Sequence, residues 1–170
     1  LRFYPQSIDA VMDTITALGQ ATGKNAEAEA LVGEMTAHRD EILDKVKDAE
    51  GKRVFYEVWN DPLQTAGPNS FIGSLIEMAG GINIAADAEE PFPQFDEEAL
   101  VENDPEVYLT ADDGMKTVED IEGRPGYEDI TAIKEGQVIL LEQDIISRAG
   151  PRVVDGLEII AKAIYPELFE

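Results

Sequence analysis

The chain has no cysteine, one histidine and one tryptophan among its 170 residues. Without cysteine there is no disulfide, no thiolate nucleophile and no Cys-ligated zinc or cluster. With His38 alone, a Ser–His triad and a histidine-rich transition-metal site both lack parts. His38 stands three residues after Met35 and four before Ile42, on the apolar stripe of a helical segment, and reads as a packed or edge histidine. Basic residues are scarce, 13 against 36 acidic, for a net charge of −23. That balance excludes nucleic acid as a partner and disfavours an anionic membrane surface. Its plain reading is solubility. No stretch reaches the roughly 18 unbroken apolar residues of a membrane span. A P-loop and a GxGxxG fingerprint are absent, since "AGPNS" and "MAGGIN" are too short and wrongly placed. The opening "LRFYPQSIDA" has neither the charged start nor the apolar run of a secretory leader, and reads as a point inside a longer chain.

What is present is enough for a core, with 44% apolar residues. Ser7 can cap a helix whose apolar positions are Ile8, Val11, Met12, Ile15 and Leu18, closed by Gly23. Asn25 can cap a second helix that runs to near Gly51, about 24 residues or roughly 36 Å long, twice the usual length. Such a helix suggests a strut between two bodies. Strands are predicted at 52–58, 106–110 and 137–141, with a short one at "INIA", 82–85. Helices are predicted from Ser70 to Ala79, from an Asp96 cap to Asn103, within 115–121 and 127–133, and from Pro151 to Pro166. "EQDIISRAG" (142–150) reads as a loop. Alternating strands and helices imply an α/β fold with a mostly parallel sheet flanked by helices. Ligands of such sheets bind beyond the carboxyl ends of the strands. Three segments fall there: Trp59–Ser70, Ala111–Lys116 and Glu142–Arg148.

Several residues carry two readings. Trp59 follows a strand and precedes an Asn-Asp-Pro turn, and is either core or the flat wall of a large-ligand site. Phe92, between two prolines, is either a loop anchor or a rigid ligand contact. Arg148, four residues after Asp144, is either half of a surface ion pair or a guanidinium fork aimed at a ligand. The pairs Asp112–Asp113 and Glu97–Glu98 read as solvated acidic faces in so anionic a chain.

The ordered stretches "EVWNDPLQTAGPNSFIGSLIEMAGGINIAAD", "PFPQFDEEALVENDPEVYLT" and "DIISRAGPRVVDGLEIIAKAIYPE" resemble the substrate-binding proteins of ABC importers for cobalamin and ferric siderophores. The resemblance implies two α/β lobes joined by one long helix. On that pattern residues 1–24 are the remnant of an N-terminal lobe, 25–50 the inter-lobe helix and 51–170 the C-terminal ligand-binding lobe. It implies ligand contacts at Trp59, Asn69, Ser70, Phe92, Asp144 and Arg148, and docking of Glu98 onto an arginine of the membrane permease. Phe92 stands where the cobalamin-binding members have Trp. No catalytic residue, resident metal or cofactor is expected. The implied function is capture of a corrinoid, or else of a ferric siderophore or haem, outside the cytoplasm and its delivery to the permease. The companion reading from another class is a sensor or surface interaction module on the same scaffold. Apolar surface left by an absent lobe would favour a homodimer of this segment.

Overall fold

A computed structural model describes Phe3 and residues 5–170. Leu1, Arg2 and Tyr4, part of the 1–24 segment, lie outside the described residues. Helix α1 spans Ile8–Thr22. It starts where the Ser7 hydroxyl accepts the Ala10 N–H (3.2 Å) and ends at Gly23, whose φ of 72° is left-handed. Helix α2, Asn25–Val46, has 22 residues and is about 33 Å long. Two details differ from the sequence reading. Asn25 is already helical and Lys24 occupies the cap position, with no side-chain hydrogen bond to the helix-start N–H groups. The helix also stops at Val46, its last buried residue, short of the predicted end near Gly51.

Strand β1 (Arg53–Asn60) is followed by β2 (Leu63–Thr65), helix α3 (Phe71–Met78) and β3 (Ile82–Asn83). Then come α4 (Glu97–Asn103), β4 (Val107–Asp112), α5 (Val118–Glu122), α6 (Thr131–Lys134) and β5 (Val138–Glu142). Helices α7 (Gln143–Ser147) and α8 (Val153–Ile164) and a 3-10 turn at Pro166–Leu168 complete the chain. The sheet order is β2-β1-β4-β5, with β3 beside the start of β1. β1, β4 and β5 are mutually parallel; β2 is antiparallel to β1.

Alternation along the central strands sends side chains into two cores, one on each face. Val54, Tyr56, Val107 and Leu109 join α1, α2, α3 and α8 through Ile8, Met35, Ile42, Ile76, Leu157 and Ile160. Phe55, Tyr108 and Val138 join the opposite layer through Leu100, Ile121, Tyr127 and Ile130. The result is helix, sheet, helix, the predicted α/β architecture. α1 packs along α2 and contributes Ile8, Val11 and Met12 to the first core. His38 sits at the edge of that layer, its Nε2 3.2 Å from Glu158 Oε2 and its Nδ1 3.8 Å from Asp155 Oδ1, so it ties α2 to α8.

Candidate functional site at the carboxyl edge of the sheet

Because β1, β4 and β5 run in parallel and in register, their carboxyl ends share one edge: Asp112 stands opposite Glu142, and Glu57 opposite Thr110. The loops after those strands therefore leave from a common rim, as the alternation of elements foretold.

Trp59 reaches the rim through a bulge. Glu57 pairs with Thr65, but the next pair is Trp59 with Gln64, so β1 carries one extra residue, Val58. The bulge shifts the alternation and turns Trp59 away from the Phe55 and Leu63 side, where it would have joined the core. The indole is 49% exposed and donates its Nε1–H to the Asp61 carbonyl at 2.8 Å. Sequence reading had no signal for β2. Its three residues follow the Asp61–Pro62 turn too closely to show a period.

β2 also explains Phe92. The Thr65 N–H donates to Pro93 O (3.1 Å), Gly67 N–H to Pro91 O (2.9 Å) and Phe95 N–H to Leu63 O (2.9 Å). The 91–95 segment thus extends the sheet beyond β2, with Gln64 opposite Gln94. A Cβ on Gly67 would lie 2.5 Å from Glu90 O, so only glycine lets this segment approach. Trp59, Gln64 and Gln94 form one cross-strand row, and Phe92 lies two residues back on the face of Gln94. Phe92 is 51% exposed. From the 91–95 segment to β5 the rim is four strand spacings wide, about 19 Å.

Asn69 and Ser70 have different roles. Ser70 is fully buried; its hydroxyl donates to Gly67 O (2.7 Å) and accepts the Gly73 N–H (2.9 Å), capping α3. Its hydroxyl is spent on shaping the loop. Asn69 holds a left-handed φ of 61° and lines a polar hollow of about 440 Å³ with Gln6, Ser7 and Glu77. Buried Asn83 braces the same loop by donating to Ala66 O at 2.8 Å.

The sequence predicts a loop after β5; Gln143–Ser147 is instead one helical turn, α7, too short for a period to show. It is anchored by buried Ile146. The turn puts Asp144 and Arg148 on one side: Arg148 Nε (3.0 Å) and Nη2 (2.8 Å) both donate to Asp144 Oδ1. The guanidinium is 72% exposed, so the pair is a surface fork at the rim.

The sequence reading missed the most buried charge among the described residues. Glu57 lies on the inward face of β1 with its side chain sealed from solvent. It accepts the Tyr108 hydroxyl, Nη1 and Nη2 of Arg124, and Lys116 Nζ at 3.0 Å. Burial alone would raise its pKa. The hydrogen bonds from Arg124 and Tyr108 and the charges of Arg124 and Lys116 outweigh that, and hold the carboxyl below its ordinary value. Tyr108 moves well above the phenol range, through burial first and Glu57 next. A signal did exist: a glutamate at an inward position of "RVFYEV", a strand covered on both faces, needs buried cations.

Glu98 is exposed on the first turn of α4, capped by Asp96. With Glu97 it separates an apolar hollow of about 310 Å³ over Val101, Pro125 and Tyr127 from a polar one of about 390 Å³ bordered by Asn60 and Asp61. Among the described residues, no group of three or more His, Asp or Glu side chains is arranged to hold a metal ion.

Fold and edge together define an α/β lobe whose loops gather at the carboxyl edge of a mostly parallel sheet. The chain belongs to the periplasmic binding protein family, whose sequence profile matches residues 2–145. It is 34% identical over 169 residues to an uncharacterised ABC transporter substrate-binding lipoprotein, YvrC, of Bacillus subtilis (strain 168), covering 97% of this chain and 53% of that protein. It is 35% identical over 167 residues to a cobalamin-binding protein of Halobacterium salinarum (strain ATCC 29341 / DSM 671 / R1), covering 94% and 45%. Among solved structures, a possible iron-binding (periplasmic solute-binding) protein from Staphylococcus epidermidis ATCC 12228 superposes with a TM-score of 0.87 at 30% identity, covering 95% and 64%. The chain spans about half the length of the curated relatives it matches.

Proposed function

We propose that this chain is the C-terminal lobe and connecting helix of an ABC importer's substrate-binding protein, which captures a large chelate outside the cytoplasm and hands it to a membrane permease without making or breaking a bond. In this reading α2 is the strut between lobes, and residues 1–24 belong with the N-terminal lobe. Trp59, Phe92 and Arg148, with Asp144 orienting the guanidinium and Asn69 at the inner loop, form one wall of the cleft. Ser70 serves by shaping that loop. The observation that carries the reading is the exposure of Trp59 at the carboxyl edge and of Phe92 two residues from the row that Trp59 shares with Gln64 and Gln94, on a rim that also carries the exposed Arg148 guanidinium. Large aromatics left in water at a ligand edge mark a surface waiting for a flat, apolar partner.

Among ligands we favour a corrinoid over an anionic ferric siderophore or haem. An anionic chelate calls for several free cations. Lys116 and Arg124 are consumed by Glu57, which leaves the rim with Arg148, itself shared with Asp144, and exposed Arg152. The cobalamin-binding relative from Halobacterium salinarum supports the same choice. Glu98, unengaged by any ion pair among the described residues, is the group offered to a permease arginine. A homodimer of this segment alone would cover the exposed aromatics.

The test is a titration of the two-lobed protein with cyanocobalamin, cobinamide, ferric siderophores and haemin, followed by Trp59 fluorescence. Binding of a corrinoid tighter than about 10 μM supports the reading. No binding by any chelate removes it and favours a sensor or surface module.

A further inference from the structure

The loop after β4 is held from both ends and carries an apolar residue outward. Asp112 Oδ1 accepts the Gly114 N–H (3.1 Å) and Asp113 Oδ1 accepts the Met115 N–H (2.9 Å). Gly114 turns the chain at a φ of 71°. On the far side Thr117 and Asp120 form a reciprocal capping box at the start of α5. Between these fixtures Lys116 dives inward to the sealed Glu57 carboxylate at 3.0 Å. Met115, its neighbour, is 79% exposed, the highest value among the exposed large apolar side chains of the described residues. The loop leaves the sheet at Asp112, on the same edge as Trp59 and one strand from the Arg148 turn.

A long apolar side chain left in water on a braced loop serves no core. We infer that Met115 is a further ligand contact, a flexible thioether that packs on the apolar face of the bound chelate, and that Lys116 is its positioning residue, fixing the loop by an ion pair with Glu57. Methionine suits such a contact because its unbranched, polarisable chain adapts to an irregular ligand surface. Lys116 acts through geometry alone: its ammonium is committed inward. Arg124 holds the other side of Glu57, so the carboxylate keeps a paired cation when Lys116 is lost.

This inference rests on the transport reading, and its test separates the two. Met115→Ala, Lys116→Met and Lys116→Arg are made in the two-lobed protein and titrated with cyanocobalamin, cobinamide and haemin, alongside amide hydrogen exchange. Met115→Ala is expected to bind the recognised chelate about tenfold more weakly, with unchanged exchange elsewhere. Lys116→Met is expected to weaken binding and to speed exchange at 112–116, with Lys116→Arg restoring both. Wild-type affinity in Met115→Ala overturns the contact. Weak binding by Lys116→Met without faster exchange at 112–116 overturns the positioning role. If the wild type binds no probe, the transport reading fails and the Met115 contact with it, while the exchange result still decides the Lys116 anchor.

Discussion

Two nitrogens of Arg148 share a single oxygen of Asp144, at 3.0 and 2.8 Å. The carboxylate steadies a guanidinium whose remaining face is open to solvent. Replacing Arg148 by alanine therefore costs little stability, under about 1 kcal/mol for an exposed pair. Ligand affinity, in contrast, is expected to fall about ten- to a hundredfold if the fork meets a carbonyl or amide of the chelate. Asp144→Asn, which keeps the shape and removes the charge, is expected to produce a smaller loss. Thermal melts and titrations of both variants check this.

Glu57 gives a pH dependence with a definite sign. Its carboxyl is held below the ordinary 4.5 in the folded state. Its stabilisation is thus complete above that value and is lost as pH falls through the lowered folded pKa. Glu57→Gln, which leaves two cations without their counter-charge, is expected to cost about 3–5 kcal/mol at pH 7. The gap between wild type and variant should narrow below about pH 4. Urea unfolding from pH 7 down to pH 3 measures it.

Glu98→Ala is expected to leave chelate affinity unchanged and to slow uptake in cells carrying the permease. A large affinity loss would move Glu98 from the docking face to the cleft. Stability should change by no more than about 1 kcal/mol, the value of a carboxylate near a helix start.

A net charge of −23 makes the fold sensitive to ionic strength. The Debye length falls from roughly 10 Å at 0.1 M to 3 Å at 1 M salt, which screens the self-repulsion. The melting temperature is expected to rise by about 5 °C or more between 0.05 and 1 M sodium chloride. A flat response would mean that self-repulsion of the acidic surface does not limit stability.

Much of the scaffold was legible from local chemistry. Ser7 and Gly23 bound α1 because a cap hydroxyl and a left-handed glycine act within a few residues. The parallel strands follow from apolar runs spaced by helices, and with them the edge where Trp59 and Arg148 emerge. Features set by distant partners were not legible. β2 is held between β1 and the 91–95 segment, and α7 is anchored by buried Ile146. The Glu57 cluster joins residues 51, 59 and 67 positions apart, a spacing no local pattern encodes. Ser70 is a ligand contact by resemblance alone; its hydroxyl bonds Gly67 O and the Gly73 N–H as the cap of α3.

The most direct measurement is a crystal structure of the two-lobed protein with cobinamide bound. The expected result is a corrin ring lying across the rim, in van der Waals contact with the Trp59 indole and the Phe92 ring, with Arg148 within hydrogen-bond distance of a ring amide. A ligand seated elsewhere, with Trp59, Phe92 and Arg148 all in water, would contradict the account.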